Sequence, residues 1–363
     1  MSARTQRDRF FDTVGHRAHP DFLYYFDTTP DLQERLAERT GCADVAALSQ
    51  RFGMWTPVDV APKDAYEGKP GWQPDFWAYY KDLTVPANAS LDFNGVLHVP
   101  GSLYHFTHYI APLRGERILA EIEAFPIRRM DPTPDPSLAV RAAQARAAGL
   151  TTQCWVGHIY ENAWQVRGYE DFLADFSLAP ENCEYLLGRF AQRNLEVARA
   201  VATAGVDMLR TGDDVAGQGG MIFGAARWRR VLKPLWAEIY AAAKAIHPAM
   251  KVWYHSDGDI SEIMDDLIEI GVDILNPLQP ECMDVPALKR RYGDRLTFDG
   301  AIGTQSVMPF GTPEDVRRTV REAKRELGGD GALILSPTHV LEQEVPIENI
   351  LVFLEECASP DHP

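Results

Sequence analysis

Residues 251–260, with the sequence KVWYHSDGDI, place chemically capable side chains at the end of a strand-like run. The apolar run 252–254 is followed by His255-Ser256-Asp257-Gly258, and a helical pattern begins directly afterwards. His255 and Asp257 are two residues apart, so on an extended strand end both side chains can point in the same direction. Imidazole and carboxylate groups bind zinc, iron or manganese, and this spacing therefore predicts part of a metal site.

The same pattern, a short apolar run that ends in polar side chains, recurs in neighbouring segments. The polar residues that follow the other runs are His158, Tyr160, Glu161, Asp213, Asp214, Gln279, Cys282, Gln305 and His339. In an α/β barrel the carboxyl ends of all strands meet at one mouth, where active sites lie. The recurrence predicts an enzyme with one cleft that these side chains share.

One chemistry that fits this cleft is metal catalysis. His255 and Asp257 supply two ligands, and His339 from another strand supplies a third. Three protein ligands with one open position is the arrangement of catalytic zinc. Glu161 and Cys282 are candidates for a further ligand.

A second chemistry needs no metal. A carboxylate such as Asp213 or Asp214 acts as an acid or stabilises a cationic intermediate, while His339 donates a proton and Tyr160 helps to hold a substrate carboxylate. The residues alone leave both chemistries open.

Candidate substrate-binding residues are the aromatic, imidazole and amide side chains near the strand ends. They are His158, Trp164, Tyr254, Gln279 and Gln305. Each candidate also has a structural interpretation: a strand-end histidine is often hydrogen-bonded, an aspartate often caps a helix, and a cysteine often packs as a small apolar group.

The elements that position these residues follow a regular alternation from about residue 137. Strand-like runs at 151–156, 207–210, 251–254, 272–275, 295–298 and 332–335 alternate with helical runs. An earlier run at 21–26 indicates a first strand, and Pro30 suits the first turn of a helix. The alternation predicts an α/β protein with a parallel sheet, closed as a TIM (β/α)8 barrel.

We expect a single domain over residues 1–363, with regular βα units over 137–357. Residues 41–135 interrupt this pattern and predict an irregular, β-rich and partly helical excursion at the N-terminal side. Within it, residues 91–112 predict a β-hairpin in which Pro100-Gly101 forms the turn.

Composition excludes several classes of protein. The chain has 363 residues, a hydrophobic fraction of 45% and a formal net charge of −16. It lacks an excess of Lys and Arg, which argues against nucleic-acid binding. It also lacks an apolar run of membrane-spanning length, an apolar signal segment and a disulfide framework, because its five cysteines are scattered. We therefore expect no membrane association and a cytoplasmic location.

Taken together, several segments resemble the uroporphyrinogen decarboxylase superfamily. This TIM-barrel family includes the tetrapyrrole decarboxylases and zinc-dependent methyltransferases that work with corrinoid proteins. The matching segments follow in order between about residues 150 and 355. They are 167–170, 212–214, 233–234, 255–258, 271–273, 276–280, 300–303 and 337–339.

The resemblance is closer to the methyltransferase branch than to the decarboxylases. True decarboxylases carry an arginine-rich N-terminal motif that grips substrate carboxylates, whereas the early run 22–27 here reads FLYYFD. The methyltransferases use a His-x-Cys pair and a later Cys as zinc ligands. The matching positions here are His255, Asp257 and His339, a pattern similar to that of O-demethylase-like members.

This resemblance implies metal-assisted methyl transfer or demethylation of a small, aromatic or methoxylated substrate. It implies a divalent metal such as zinc, and a corrinoid (cobalamin) protein or tetrahydrofolate as methyl partner; homodimers are usual in the superfamily. The alternative is a metal-free decarboxylase or lyase that acts on a carboxylated tetrapyrrole or a small acid. A barrel that only binds a ligand is a third hypothesis, and the converging histidines and acidic residues count against it.

Overall fold

The computed structural model describes residues 4–62, 75–101, 107–129 and 135–360. Its main sheet has eight strands, which we label β1 to β8 in chain order: Leu23–Tyr24, Val58–Asp59, Thr152–Trp155, Met208–Gly212, Lys251–His255, Ile274–Leu278, Thr297–Ile302 and Leu333–Pro337. The order in the sheet is β1-β8-β7-β6-β5-β4-β3-β2, and all pairings are parallel. Next to the two terminal strands of this order, β1 and β2, the backbone N–H of Trp55 donates a hydrogen bond to the backbone carbonyl of Tyr24 over 2.8 Å. This is the strand order of a TIM barrel and confirms the predicted fold class.

Helices connect the strands. The α-helices are Gln6–Val14, Pro30–Thr40, Val45–Phe52, Leu119–Glu123, Pro136–Ala147, Tyr160–Arg167, Tyr169–Leu178, Pro180–Thr203, Ala225–Val231, Lys233–Ile246, Met264–Ile270, Val285–Tyr292, Val307–Phe310, Pro313–Leu327 and Ile347–Ala358. Two short 3₁₀ helices are Phe76–Tyr80 and Ser261–Ile263. No helix in the described part of the chain has the length and apolar character needed to cross a membrane.

The helix Pro313–Leu327 illustrates why these segments are helical. Thr312 and Asp315 form a reciprocal capping box at its start, which satisfies backbone N–H groups that have no partner within the helix. Val316, Val320 and Leu327 recur at helical spacing and are buried. This spacing gives the helix one apolar stripe, which packs against the sheet.

The strands divide their side chains between two cores. Trp253 of β5 belongs to an inner core, while its neighbour Tyr254 belongs to the outer core under the helices. This division follows from the period of two along a strand. The inner core comprises Phe10, Val14, Leu23, Trp55, Met208, Trp253, Ile274 and Ile334. Four of the five strand residues in this core, Leu23, Met208, Ile274 and Ile334, lie at the amino ends of their strands, and the helix Gln6–Val14 packs there and closes the bottom of the barrel.

Several boundaries differ from the sequence expectation. β6 and β7 extend three and four residues beyond the predicted runs, so that Asn276 and Asp299 lie within strands. The helical run after β4 forms two helices instead of one, with Pro234 in the first turn of the second. Tyr160–Arg167 is a helix that the sequence pattern did not predict.

The excursion over residues 41–135 contains more regular structure than expected. It includes β2 and the helix Val45–Phe52, which complete the barrel on its N-terminal side. The predicted hairpin is present, because Leu97–Pro100 pairs with Thr107–Ile110 in antiparallel fashion. Pro100 lies at the end of the first hairpin strand, and residues 102–106 between the two strands lie outside the described residues.

Candidate active site

The carboxyl ends of the strands surround a cavity of about 490 Å³. The side chains that line it include Tyr25, Asp27, Asp59, Gln153, Trp155, His158, Glu161, Arg210, Asp214, Trp253, His255, Asn276, Thr338 and His339. A neighbouring cavity of about 300 Å³ shares His339 and adds Asp257, Gln279 and Gln305. The barrel mouth therefore brings together residues from most of the predicted strand ends.

Asp214, His255 and Asp257 form the tightest group of metal-binding side chains within the described residues. One ligand atom from each lies within 4.8 Å of the other two. His255 Nε2 is 3.5 Å from Asp214 Oδ1 and 3.8 Å from Asp257 Oδ1. Asp257 also donates its backbone N–H to Asp214 Oδ1 over 2.8 Å, which fixes the two carboxylates relative to each other.

His339 stands next to this group, with Nε2 3.8 Å from Asp257 Oδ2. Burial raises the pKa of Asp257; the charge of His255 lowers it, that of Asp214 raises it further and that of His339 lowers it. Carboxylates that share one site repel each other when both are ionised, and a cation between them removes that repulsion.

The imidazole of His255 is oriented from behind. Its Nδ1 lies 2.7 Å from Oδ1 of Asn276. Because an amide oxygen only accepts, Nδ1 donates this hydrogen bond, and Nε2 is the ring nitrogen that faces the carboxylates. The ring of Trp253 lies nearly parallel to the imidazole, at 5.8 Å between centroids and 10° between planes. A hydrogen bond of this kind is the usual support of a metal-bound histidine. The side chains present therefore fit a divalent cation.

Asp213, adjacent to Asp214 in sequence, has a different environment. It is fully buried and does not line the cavity. Its Oδ1 accepts the backbone N–H groups of Ile159, Tyr160 and Glu161, and its Oδ2 accepts the indole N–H of Trp236. Burial raises the pKa of Asp213 to about 7, although the charge of His158 and the N–H donors act in the opposite direction. Asp213 thus holds the start of the helix Tyr160–Arg167, the capping role that aspartate favours.

His158 and Glu161 form a charged pair at the rim of the cavity. His158 Nδ1 lies 2.7 Å from the carbonyl oxygen of Gly212 and 3.0 Å from Glu161 Oε2. Burial would lower the pKa of His158, but the hydrogen bond and charge of Glu161, the charge of Asp213 and the Gly212 carbonyl raise it to about 9. His158 is therefore protonated at neutral pH.

Besides Asp213, three predicted aromatic residues lie away from the mouth cavity. Tyr254 is fully buried behind β5 against Trp236, because it alternates with His255 along the strand. Tyr160 is fully buried beside Phe172 and Phe223. Trp164 packs against the rings of Tyr109 and Tyr169 on the outer side of the same helix.

Gln279, Gln305 and Cys282 lie near the neighbouring cavity. The Gln279 side chain accepts the backbone N–H of Gly258 over 3.0 Å, and the exposed Gln305 side chain accepts from Gln218. The Cys282 thiol lies 3.8 Å from the carbonyl of Gln279 and outside the Asp214–His255–Asp257 group. Burial raises the pKa of this thiol to about 11.

The interior of the barrel also contains three polar residues, Asn276, Arg210 and Asp299, to which the sequence pattern gave no role. Asp299 is fully buried inside the barrel and accepts hydrogen bonds from Trp253 Nε1, Tyr25 and Ser336. Asn276 links His255 to this network. The available signal was the presence of polar residues at inward-facing positions of otherwise apolar strands.

Comparisons with known proteins agree with this architecture. A solved methyltransferase from Methanosarcina mazei superposes with a TM-score of 0.65 and 13% identity, over 98% of each chain. An alpha-amylase from Geobacillus thermoleovorans, solved with acarbose, aligns over 61% of this chain and 59% of its own, with 11% identity and a TM-score of 0.35. We draw no conclusion from this alignment because its TM-score is low.

A search of curated proteins found no match. The sequence profile of the family described as uroporphyrinogen decarboxylase (URO-D) matches residues 158–359. That span includes five of the eight barrel strands and the Asp214–His255–Asp257 group. The chain therefore belongs to the uroporphyrinogen decarboxylase (URO-D) family.

Proposed function

We propose that this protein is a metal-assisted methyltransferase or demethylase that acts on a small aromatic or methoxylated substrate in the barrel mouth. The observation that carries this proposal is the group of Asp214, His255 and Asp257, whose ligand atoms lie within 4.8 Å of one another. The Nδ1 of His255 is held by Asn276, which leaves Nε2 directed at the two carboxylates.

His255, Asp257 and Asp214 hold the metal, and His339 is close enough to Asp257 to join them. A bound divalent metal, for which zinc is our first choice, supplies Lewis acidity that polarises the leaving oxygen or sulfur of a methyl donor. The ligands are carboxylates and imidazoles without a thiolate, which makes the site harder than a cysteine-bound zinc site.

The chain's own residues bind and orient the substrate. Tyr25, Trp155 and Trp253 supply aromatic faces on the cavity wall, which suit a planar ring. His158, whose pKa is about 9, holds a proton at the rim beside Glu161.

A corrinoid protein or tetrahydrofolate is the methyl partner in this proposal. Support comes from the family, which includes corrinoid-linked methyltransferases, and from the fold match to the methyltransferase from Methanosarcina mazei. The metal-free alternative assigns the stabilisation of a cationic intermediate to Asp213 or Asp214. Asp213 is less suited to that role, because both of its oxygens already accept N–H groups and neither faces the cavity.

The test is a methyl-transfer assay on protein purified without an affinity tag. Methoxylated benzenes and benzoates serve as donors, and reduced cobalamin or tetrahydrofolate serves as acceptor. We expect turnover that is lost with a chelator, restored by zinc, and absent from His255→Ala. Tyr254→Phe is the matched control on the same strand and should keep activity, because this side chain lies behind the sheet. Turnover that is undiminished in excess chelator would contradict the proposal and favour the metal-free lyase.

A further inference from the structure

Arg210 is the inward-facing cation in the middle of β4. In the sheet it pairs with Trp155 of β3 on one side and with Trp253 of β5 on the other. Its guanidinium carbon lies 4.2 Å from the ring centroid of Trp253 and 5.9 Å from that of Trp155. The two indole rings are 6.2 Å apart at 72°. Arg210 thus lies in an aromatic corner of the mouth cavity.

No carboxylate among the described residues forms a salt bridge or hydrogen bond with this guanidinium. Its Nε is buried without a hydrogen bond, and it lies against the two indole rings. Burial raises the pKa of the inward-facing Asp299 and the charge of Arg210 acts in the opposite direction, but the Asp299 carboxylate takes its hydrogen bonds from Trp253, Tyr25 and Ser336.

A comparison with Asp207, which directly precedes β4, shows how unusual the environment of the Arg210 guanidinium is. Asp207, directly before the strand, is fully buried and is paired with Arg7 and Thr152. Arg210, three residues later, is also removed from bulk water in part, but it forms no salt bridge and has only the nearby charge of Asp299. An arginine stays protonated in proteins, so this charge is not relieved by titration. A desolvated charge is costly unless something pairs with it.

The position of Arg210 relative to the proposed metal group defines a two-point site. Gly212 pairs with His255, and Arg210 lies two residues earlier on the same face of the sheet. At about 3.3 Å per residue, Arg210 is one pleat, roughly 7 Å, deeper in the barrel than His255. Both residues line the same 490 Å³ cavity. An aromatic ring with one substituent at each end spans a comparable distance.

The other charges in the cavity favour one orientation of an anionic substrate. Asp27, Asp59, Glu161 and Asp214 also line the cavity, and each repels an anion from its own part of the wall. His158 is already engaged by Glu161 at the rim. Within this lining, the aromatic corner around Arg210 is where an anion is attracted and a planar ring is stacked.

We propose that Arg210 binds the carboxylate of an aromatic substrate, with the ring against Trp155 and Trp253 and the reacting substituent directed at the metal group. A guanidinium binds a carboxylate through two parallel N–H donors, which fixes orientation as well as charge. The identity of the reacting end rests on the proposed function. The anion site itself rests only on the guanidinium without a salt bridge and its aromatic corner.

The test measures binding directly, by tryptophan fluorescence and by calorimetry. The probes are 4-methoxybenzoate and its neutral counterpart 4-methoxybenzamide. We expect wild-type protein to bind the acid at least tenfold more tightly than the amide. Arg210→Met should abolish this preference while its affinity for the amide stays within about twofold. Arg210→Lys, which keeps the charge but not the fork of donors, should retain part of the preference.

Equal affinity of the wild type for acid and amide, an unchanged preference in Arg210→Met, or no binding of either probe would each overturn the proposal. If Arg210→Met does not fold, the wild-type comparison and Arg210→Lys still decide it. Because binding needs no turnover, the result of this binding experiment is independent of the result of the methyl-transfer assay. An Arg210-dependent acid preference in a protein without methyl transfer would leave this site standing and remove the proposed function.

Discussion

The two ends of the barrel interior are built from the same eight strands and differ in how completely their groups are partnered. At the amino end, Phe10, Leu23 and Ile334 belong to an apolar core, and the nearby charge of Asp207 is paired with Arg7. At the carboxyl end, carboxylates stand beside one another at Asp214 and Asp257, and deeper in the same cavity the guanidinium of Arg210 forms no salt bridge with a described residue. The difference separates the end that stabilises the fold from the end that is arranged to receive ligands.

The largest change in stability is expected at the amino end, from Phe10→Ala. Phe10 is fully buried and stacks on Trp55, so truncation leaves a cavity and should cost about 3–5 kcal/mol of the free energy of unfolding. Urea denaturation measures this cost. The folded variant should keep its metal content. Phe11→Ala, on the same helix but only partly buried, is the control with a smaller cost. Loss of metal from folded Phe10→Ala would show that the amino end also determines metal binding, which contradicts the division of roles between the two ends.

The adjacent residues Asp213 and Asp214 allow the same comparison between a fully partnered group and a group that faces the cavity. Asp213→Ala leaves three backbone N–H groups and an indole N–H without their acceptor, and should lower the free energy of unfolding by about 2–3 kcal/mol. Asp214→Ala should change stability little and weaken metal binding. Denaturation and metal titration of the two variants test this contrast. The reverse result would assign the metal to Asp213.

A smaller effect, confined to the carboxyl end, is expected for Asn276→Ala. Removing the acceptor for His255 Nδ1 frees the imidazole to rotate and to change tautomer. Loss of such a supporting hydrogen bond typically lowers metal affinity by about 10–100-fold. Competition with a chelating dye measures the affinity. Asn276→Asp, which keeps an acceptor, should lose less, and an unchanged affinity in Asn276→Ala would contradict the proposed role.

The smallest effect is expected in the pH dependence of the pair of His158 and Glu161. The pKa of His158 is raised to about 9, so the stability gained from its protonation is fully present below about pH 6.5. It is lost as the pH rises through 9. We expect a contribution of about 1 kcal/mol, because the pair is partly exposed to solvent.

In Glu161→Gln the NMR-measured pKa of His158 should fall from about 9 toward its ordinary value, since the leading favourable contribution comes from Glu161. The loss of stability between pH 7 and 10 should then become shallower than in wild type. A His158 resonance that titrates near pH 6.5 in the wild-type protein would show that the pair is not formed.

Much of the barrel could be predicted from the sequence, because long alternating runs constrain which elements form. His255, Asp257 and His339 were predicted to share one mouth because the carboxyl ends of parallel strands meet there, and the imidazoles of His255 and His339 each lie 3.8 Å from a carboxylate oxygen of Asp257. The two-residue strand β2 was missed because Val58–Asp59, beside Pro57, is too short to show a period. The helix Tyr160–Arg167 was missed because its buried and exposed residues do not form a clear stripe.

The site was harder to predict at the level of single residues. Whether a side chain faces the cavity or the helices changes with every residue along a strand, so Tyr254 and His255 face opposite ways. The same counting applied to β4 would have identified Arg210 as inward-facing. The different roles of Asp213 and Asp214 depend on loop geometry after the strand, which no periodic pattern specifies.

The most direct test of the metal site is elemental analysis by ICP-MS of protein purified without an affinity tag, for wild type, His255→Ala and Cys282→Ala. We expect about one divalent metal per chain in the wild type and in Cys282→Ala, because the Cys282 thiol lies outside the ligand group. Folded His255→Ala should contain almost none. Equal metal content in wild type and His255→Ala, or a wild-type protein that takes up no zinc when it is supplied, would contradict the site.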